Sequence, residues 1–188
     1  AAGKFQAAFF QSVTTRTAGF ASISQSGLTN GSKLLACMLM IIGGSPAGTA
    51  GGIKTTTVAV LLLTAISVLR GNKDTECYGR KITFEIIRVA ITITLVTFVF
   101  WLFGVTVMTV IEPQQKVLDL MFEATSAMAT VGLTADLTPV LSDISHVVLM
   151  LMMYIGRIGP MTMALIFSGH VDKKNQFRTL PEAKIMVG

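Results

Sequence analysis

Charged residues are scarce in this chain of 188 residues: they make up 13% of it, against 52% hydrophobic residues. A soluble domain carries about 25% charged residues, so the composition favours a membrane protein. Cysteine and histidine are also rare, with two of each. Two cysteines give no disulfide framework, and two histidines give neither a transition-metal ligand cluster nor an enzyme's nucleophile and base. The sequence therefore predicts a membrane protein that is not an enzyme and holds no organic cofactor.

Long apolar runs are abundant instead. A membrane-spanning helix needs about 20 mainly apolar residues, and three stretches qualify. The first, Leu34 to Leu69, contains one charge, Lys54. The second, Val89 to Ile111, contains no charge, and the third, Ile144 to Ser168, contains only Arg157. The pattern predicts several passes through a membrane.

Basic and acidic residues lie on different connecting segments. Lys and Arg cluster between the first two apolar runs and again after the third, and such clusters mark the cytoplasmic side of membrane proteins. The loop 71–82 and the C-terminus are therefore predicted to be cytoplasmic, and the region 113–143 to be outside. This rule accounts for the net charge of +5 without a nucleic-acid partner. The acids assigned to the outer side are Glu112, Asp119, Glu123, Asp136 and Asp143.

One unit of sequence occurs twice. FFQSVTTRTAGFASIS from Phe9 aligns without gaps on FEATSAMATVGLTADL from Phe122, a shift of 113 residues. Each copy reads as a short amphipathic helix, a T-x-G-[FL] loop and a long apolar segment. A short helix between two spans requires the chain to dip into the membrane and return. Non-helical backbone is tolerated there only inside protein or beside a watery cavity, so we expect both loops to line a cavity. An ordinary turn is the alternative.

The stretch GGSPAGTAGGIKTTT from Gly43 interrupts the first apolar run. A Walker A phosphate loop reads G-x-x-x-x-G-K-[ST], but here Ile53 separates Gly52 from Lys54 and no soluble α/β context precedes it. A continuous helix over 34–69 would extend about 54 Å, against about 30 Å of hydrocarbon core. The glycines and proline therefore predict a broken helix, with a kinked helix packed at small residues as the alternative.

Four motifs together resemble the Trk/Ktr/HKT superfamily of potassium transporters, and most closely the membrane subunit of bacterial Ktr systems. They are TTRTAGF from Thr14, the stretch from Gly43, TVGLT from Thr130 and YIGRIGPMT from Tyr154. The resemblance implies an all-α, potassium-channel-like membrane protein. Its repeated units each contain an outer helix, a pore helix, a filter loop and an inner helix, and the inner helix of the first copy is broken. It implies residues 1–70 as the third pore unit without its outer helix, 71–82 as a cytoplasmic linker, 83–170 as the fourth unit and 171–188 as a cytoplasmic tail.

The resemblance also implies K⁺ transport through these loops. Backbone carbonyls can replace the hydration shell of K⁺, and glycine permits the unusual backbone angles that this requires. Transport selective for Na⁺, and a structural anchor for another transporter component, are the alternatives. The implied filter residues are Thr17, Ala18, Gly19 and Phe20 in the first loop and Thr130, Val131, Gly132 and Leu133 in the second.

A gate beneath the filter is a further implication of the resemblance. The segment from Gly43 to Gly52 would form an intramembrane loop in the cation path, and Arg157 would place a positive charge beside that path. A structural arginine that pairs between helices is the alternative for Arg157. The implied gate residues are Gly43, Gly44, Ser45, Pro46, Gly48, Gly51, Gly52, Lys54 and Arg157.

The partners are implied in the same way. Membrane subunits of Ktr systems work as homodimers on cytosolic nucleotide-binding regulatory subunits, in the cell membrane. The remaining pore units would come from the N-terminal part of the same polypeptide. The loop 71–82 and the tail, both predicted to be cytoplasmic, would face the regulatory subunit.

Overall fold

The structure is a computed structural model, and it describes residues 2–45, 51–72 and 74–159. The predicted tail, 171–188, lies outside the described residues. The described chain is mostly helical, as the sequence predicts. In chain order its elements are α1 (Ala2–Thr14), α2 (Asn30–Ile41), α3 (Thr55–Leu69), β1 (Glu76–Cys77), β2 (Arg80–Lys81), α4 (Phe84–Ile111), α5 (Val117–Met128), a short 3₁₀ helix (Thr138–Val140) and α6 (Asp143–Ile158).

Helix α4 is 28 residues long and follows Thr83 as its N-cap. Among the described residues it is the one helix that is long and apolar enough to cross a membrane, and α2 and α3 are apolar but shorter. Its five threonines each donate the side-chain hydroxyl to the carbonyl four residues earlier, at 2.7–2.9 Å. A helix rich in β-branched residues thus satisfies its own polar groups, as a hydrocarbon surrounding requires.

Helix α5 is the centre of the described fold. It is buried from Phe122 to Met128 and packs against α2, α4 and α6. One apolar core joins α5 to α4 and α6 and includes Met108 and Met152. A second core joins α5 to α2 and includes Met40. Both cores meet on the short helix that precedes the second T-x-G loop, so the position of that loop is set from two sides.

Two glycines allow α6 to approach its neighbours closely. A β-carbon at Gly104 of α4 would overlap the side chain of Met152, and one at Gly156 of α6 would overlap the carbonyl oxygen of Met128. The backbone of α6 therefore lies directly against the C-terminal end of α5.

Glu112, just after α4, ties the end of that helix to the start of α6. Its carboxylate accepts hydrogen bonds from the backbone N–H of Ser142 at 2.8 Å and from the hydroxyl of Ser145 at 2.9 Å. Hydrogen bonds from Ser142, and then from Ser145, hold the pKa of Glu112 below its ordinary range. An ionised carboxylate at this helix N-terminus also complements the helix dipole.

A β-hairpin occupies the segment predicted as the cytoplasmic linker. Its strands β1 and β2 pair antiparallel, with Glu76 opposite Lys81. The connecting residues Tyr78 and Gly79 have φ of 49° and 72°, and a two-residue hairpin turn favours such angles. The sequence interpretation missed the hairpin because its strands are two residues long and lack an alternating apolar pattern.

An ion pair joins the two copies of the repeated unit. Lys33 of α2 contacts Asp119 of α5 at 2.6 Å, and the side chains are only 8% and 22% exposed. The hairpin has an ion pair of the same length, between Lys81 and Asp74, but these side chains are 63% and 47% exposed. The two ion pairs differ in burial but not in length, so the exposed pair can serve as a control for the buried one.

We expect Lys33→Met to lower the free energy of unfolding by about 3 kcal/mol. That is the lower end of the range for a broken buried pair, because Asp119 keeps some contact with solvent. Lys81→Met should cost less than about 1 kcal/mol, because exposed pairs contribute little. Thermal unfolding of the full-length protein in detergent measures both. Equal losses in the two variants would show that the Lys33 pair does not hold the units together.

Candidate ion-binding loops

The two T-x-G loops have the same unusual backbone. They follow the C-terminal ends of α1 and α5. Thr17 and Gly19 have φ of 66° and 75°, and the aligned Thr130 and Gly132 have φ of 54° and 90°. A positive φ is a rare and strained conformation for a β-branched residue. Strain at two aligned threonines marks the loops as candidate functional sites.

Among the described residues, the hydroxyls of these two threonines have no hydrogen-bond partner. The Oγ1 atoms of Thr17 and Thr130 are both buried, and they are the two such side-chain atoms found among the described residues. A buried polar group without a partner costs about 1–3 kcal/mol. Two equivalent oxygens without hydrogen-bond partners are suited to coordinate a cation that has lost its hydration shell.

The two loops touch each other. A β-carbon at Gly19 would overlap the carbonyl oxygen of Val131, so the backbone of the first loop lies directly against the second. Gly132 is different, because no atom of the described part of the chain lies within 4 Å of the position its β-carbon would take. Both space and backbone angle thus favour glycine in the first loop, whereas backbone angle alone favours it in the second.

The residues that end the glycine-rich stretch lie against the second loop. A β-carbon at Gly51 would overlap the Oγ1 atom of Thr130 and would lie 2.9 Å from the carbonyl oxygen of Ala129. The neighbouring Gly52 has φ of 73°, and a β-carbon at Gly52 would lie 3.5 Å from the β-carbon of Ala129. The predicted gate segment therefore reaches one of the two unpartnered hydroxyls.

Hydrogen bonds join the two ends of the glycine-rich stretch. The N–H of Gly43 donates to the carbonyl of Ile53 at 2.9 Å, and the N–H of Ile53 donates to the carbonyl of Ile41 at 3.0 Å. Gly44 accepts from the N–H of Thr55 at 3.3 Å, and Ser45 is exposed. Helices α2 and α3 are thus separate helices whose facing ends are fastened together. Pro46 and Gly48, also predicted as gate residues, lie outside the described residues.

The two charged gate candidates lie at helix ends. Lys54 is the N-cap of α3, and its side chain is exposed. Arg157 lies in the last turn of α6, also with an exposed side chain. It follows Gly156, which packs directly against the carbonyl of Met128, so the backbone of Arg157 lies at the level of the end of α5.

The aligned residues that close the two loops have different surroundings. Phe20 is 72% exposed, whereas Leu133 is 3% exposed. The carbonyl of Phe20 accepts a hydrogen bond from the hydroxyl of Thr14 at 2.6 Å. Ala18 is exposed and Val131 is buried. The second loop is the more enclosed of the two, and the first is open on one side.

Two polar contacts hold the segments that follow the loops. Asp136 accepts hydrogen bonds from Ser26 at 2.6 Å and from Ser24 at 3.0 Å, which joins the two segments. Hydrogen bonds from Ser26, and then from Ser24, hold the pKa of Asp136 below its ordinary range. Within the second copy, the carboxylate of Glu123 accepts from Thr134, Ala135 and Thr138 at 2.6–2.9 Å.

The burial of Glu123 is not anticipated by the sequence interpretation. The charge pattern groups it with the other acids of the outer segment, but it is 4% exposed in the middle of α5. The sequence does contain a feature that predicts this burial. Glu123 falls within a short amphipathic helix that lies between two long apolar runs. The pairing of Lys33 with Asp119 is also not predicted.

The family comparison agrees with the motifs. The model of the TrkH family, described as a cation transport protein, matches residues 1–178. The match covers most of the chain and confirms the resemblance drawn from the four motifs.

Relatives with curated names are similar over nearly the whole chain. The Ktr system potassium uptake protein B of Bacillus subtilis is 37% identical over 98% of this chain and 41% of its own length. The potassium/sodium uptake protein NtpJ of Enterococcus hirae is 37% identical over 96% of this chain and 41% of its own length. The Ktr system potassium uptake protein D of Bacillus subtilis is 34% identical over 95% of this chain and 39% of its own length. The chain thus spans about two fifths of these relatives, which are named as transport proteins and not as enzymes.

We expect Gly19→Ala to be far more damaging than Gly132→Ala. The second change adds only backbone strain, about 1–2 kcal/mol for a residue with side chain at positive φ. The first adds the overlap with Val131, which the enclosed second loop cannot relieve. Size-exclusion chromatography of fluorescently tagged full-length protein measures the folded yield. Gly31→Ala is the control, since that glycine lies in α2 with open space around it. Equal yields from the two loop variants would contradict the contact between the loops.

Proposed function

Because the chain belongs to the TrkH family of cation transport proteins, we propose that it forms part of a K⁺-conducting pore in the cell membrane. The observation that carries the proposal is the pair of buried, unpartnered threonine hydroxyls at the same position of two strained loops. A dehydrated cation between the loops would supply the missing partner for both. Backbone carbonyls of 17–20 and 130–133 would provide the further oxygen ligands.

The helices that precede the loops support a cation at this position. Both α1 and α5 end directly before their loops. The C-terminal end of a helix has a partial negative charge that favours cations. Two such ends near the loops, without a carboxylate among residues 17–20 or 130–133, would attract a monovalent cation without binding it too tightly to leave.

The architecture proposed for the full-length protein follows the resemblance. Residues 1–70 would be a pore unit and residues 83–170 the next one, connected by the cytoplasmic segment 71–82. The rest of the polypeptide would supply the remaining units, as the relatives' greater length allows. Several passes of the membrane are part of this proposal, with the tail 171–188 cytoplasmic.

The choice between K⁺ and Na⁺ is a second question. Two relatives are named for potassium uptake, and one for potassium and sodium uptake. We propose K⁺ as the main transported ion and Na⁺ as a secondary one. A purely structural anchor is the less favoured candidate, because it leaves the two strained loops and their hydroxyls without a use.

Ion flux in liposomes tests this function. We expect the reconstituted full-length protein to carry K⁺ faster than Na⁺. The variant Gly132→Ser should reduce this preference by distorting the second loop while leaving the space around it open. Potassium- and sodium-sensitive dyes inside the vesicles report both rates. Absence of cation flux from well-folded protein would contradict the pore, and an unchanged preference in Gly132→Ser would remove the loops from the ion path.

The glycine-rich stretch is proposed as the gate of this pore. The described flank Gly51–Gly52 lies against Thr130 and Ala129, at the end of the second loop that leads back to α5. A segment in this position would block a cation that leaves the filter. We further propose that the protein is a homodimer on a cytosolic nucleotide-binding subunit and that this subunit controls the gate through the cytoplasmic segments.

Deletion of Gly43 to Gly52 should raise the K⁺ flux and make it independent of the cytosolic subunit. Arg157→Ala should act in the same direction, because a unit charge at about 6 Å repels a cation by roughly 3 kcal/mol at an effective dielectric of 20. That energy corresponds to about a hundredfold in rate as an upper limit. Lys54→Ala should have a smaller effect in the same direction, since the flexible lysine side chain can carry its charge away from the pore.

The measurement is the K⁺ flux of reconstituted protein with and without the co-purified cytosolic subunit. If the deletion and Arg157→Ala both leave flux unchanged in protein of normal oligomeric size, the gate lies elsewhere. Failure of the subunit to co-purify with the wild-type protein would contradict the proposed partner.

A further inference from the structure

The carboxylate of Glu123 is buried within the protein, behind the second loop. Its Oε1 atom accepts hydrogen bonds from the hydroxyl of Thr134 at 2.6 Å and from the backbone N–H of Ala135 at 2.9 Å. Its Oε2 atom accepts from the hydroxyl of Thr138 at 2.8 Å. Burial of a carboxylate is costly unless it is well bonded, and here both oxygens are used by one short segment of chain.

The bonds to Glu123 begin two residues after Gly132. On the other side of this glycine, the N–H of Val131 donates to the carbonyl of Ser126 at 2.9 Å. Among the described residues, no atom lies within 4 Å of the position that a β-carbon at Gly132 would take, although its neighbours Val131 and Leu133 are buried. Two hydrogen-bonded anchors to α5 hold the chain on either side of this glycine: a backbone bond at Ser126 before it and the carboxylate of Glu123 after it.

The first loop lacks a carboxylate at the aligned position, since the 113-residue shift places Phe10 where the second copy has Glu123. The hydroxyl of Thr14 instead donates to the carbonyl of Phe20 at 2.6 Å. The segment after the first loop is held by Gln25, which donates to the side chain of Gln11 at 3.1 Å, and by the bonds of Ser24 and Ser26 to Asp136. Glu123 is thus an anchor of the second loop that has no counterpart at the aligned position of the first.

We propose that Glu123 is a positioning residue that fixes the ion-coordinating geometry of the second loop and thereby supports the preference for K⁺ over Na⁺. Discrimination between monovalent cations depends on the number and placement of the coordinating oxygens. Glu123 acts through Thr134 and Ala135 and not by touching the ion, since both its oxygens are already occupied. This inference rests on the proposed function of the loops as an ion filter.

The test compares Glu123→Ala with Glu123→Gln in reconstituted full-length protein. The alanine leaves the N–H of Ala135 buried without an acceptor and frees the loop, so the KM for K⁺ should rise and the K⁺ to Na⁺ flux ratio should fall by about tenfold. The glutamine keeps the shape: its carbonyl can accept from Thr134 and Ala135, and its amide can donate to Thr138. It should therefore restore the ratio to within about twofold of the wild type.

Glu112→Ala is the matched control. Glu112 also accepts two hydrogen bonds through one carboxylate, but it ties α4 to α6 away from the loops. Its loss should lower stability and leave the flux ratio unchanged. If Glu123→Ala does not reach the membrane, Thr134→Val removes one bond nearest the loop and should lower the ratio in the same direction by a smaller factor.

The outcomes separate this inference from the function on which it rests. Wild-type K⁺ flux with an unchanged KM and ratio in Glu123→Ala, or in Thr134→Val where the alanine variant does not fold, overturns the positioning role alone. A glutamine variant as poor as the alanine overturns it too, because charge and not hydrogen bonding would then be the cause. Absence of wild-type K⁺ flux overturns the proposed function and this inference together.

Discussion

A chain that leaves helical geometry in apolar surroundings must find a partner for every peptide N–H and C=O that it releases. The described structure shows two segments that meet this constraint with protein partners. The ends of α2 and α3 bond to each other through Gly43 and Ile53, and the second loop bonds back to α5 through Ser126 and Glu123. The hydroxyls of Thr17 and Thr130 depart from this pattern. Buried polar groups that lack a partner therefore mark the candidate site.

The unusual backbone angles of the two loop glycines could be predicted because they depend on residue types with few alternatives. A positive φ at Gly19 and Gly132 favours a residue without a β-carbon, and an interruption of the apolar run from Leu34 to Leu69 favours glycine or proline. Both preferences concern the residue type at single positions, so they can be read from the sequence. The short amphipathic helix predicted before the second loop is α5 (Val117–Met128).

Other features depend on residues far apart in the chain, and no pattern in one sequence reveals them. The pairing of Lys33 with Asp119 and the bonds of Ser24 and Ser26 to Asp136 follow from how the two copies of the unit pack together. The burial of Glu123 is not anticipated because the charge rule for membrane topology counts acids without regard to burial. The hairpin of β1 and β2 is missed because a two-residue strand carries almost no periodic signal.

The close approach of Gly19 to Val131 has a consequence for how the protein is made. The two residues lie far apart in sequence, and α5 with its loop is synthesised long after α1. The first loop is thus complete in sequence while the loop that packs against Gly19 is still absent. Contacts between residues of this separation are slow to form and leave early segments without partners. The contact between the two loops can therefore form only after α5 and its loop have been synthesised, and until then Gly19 has no neighbour at the position that Val131 later takes.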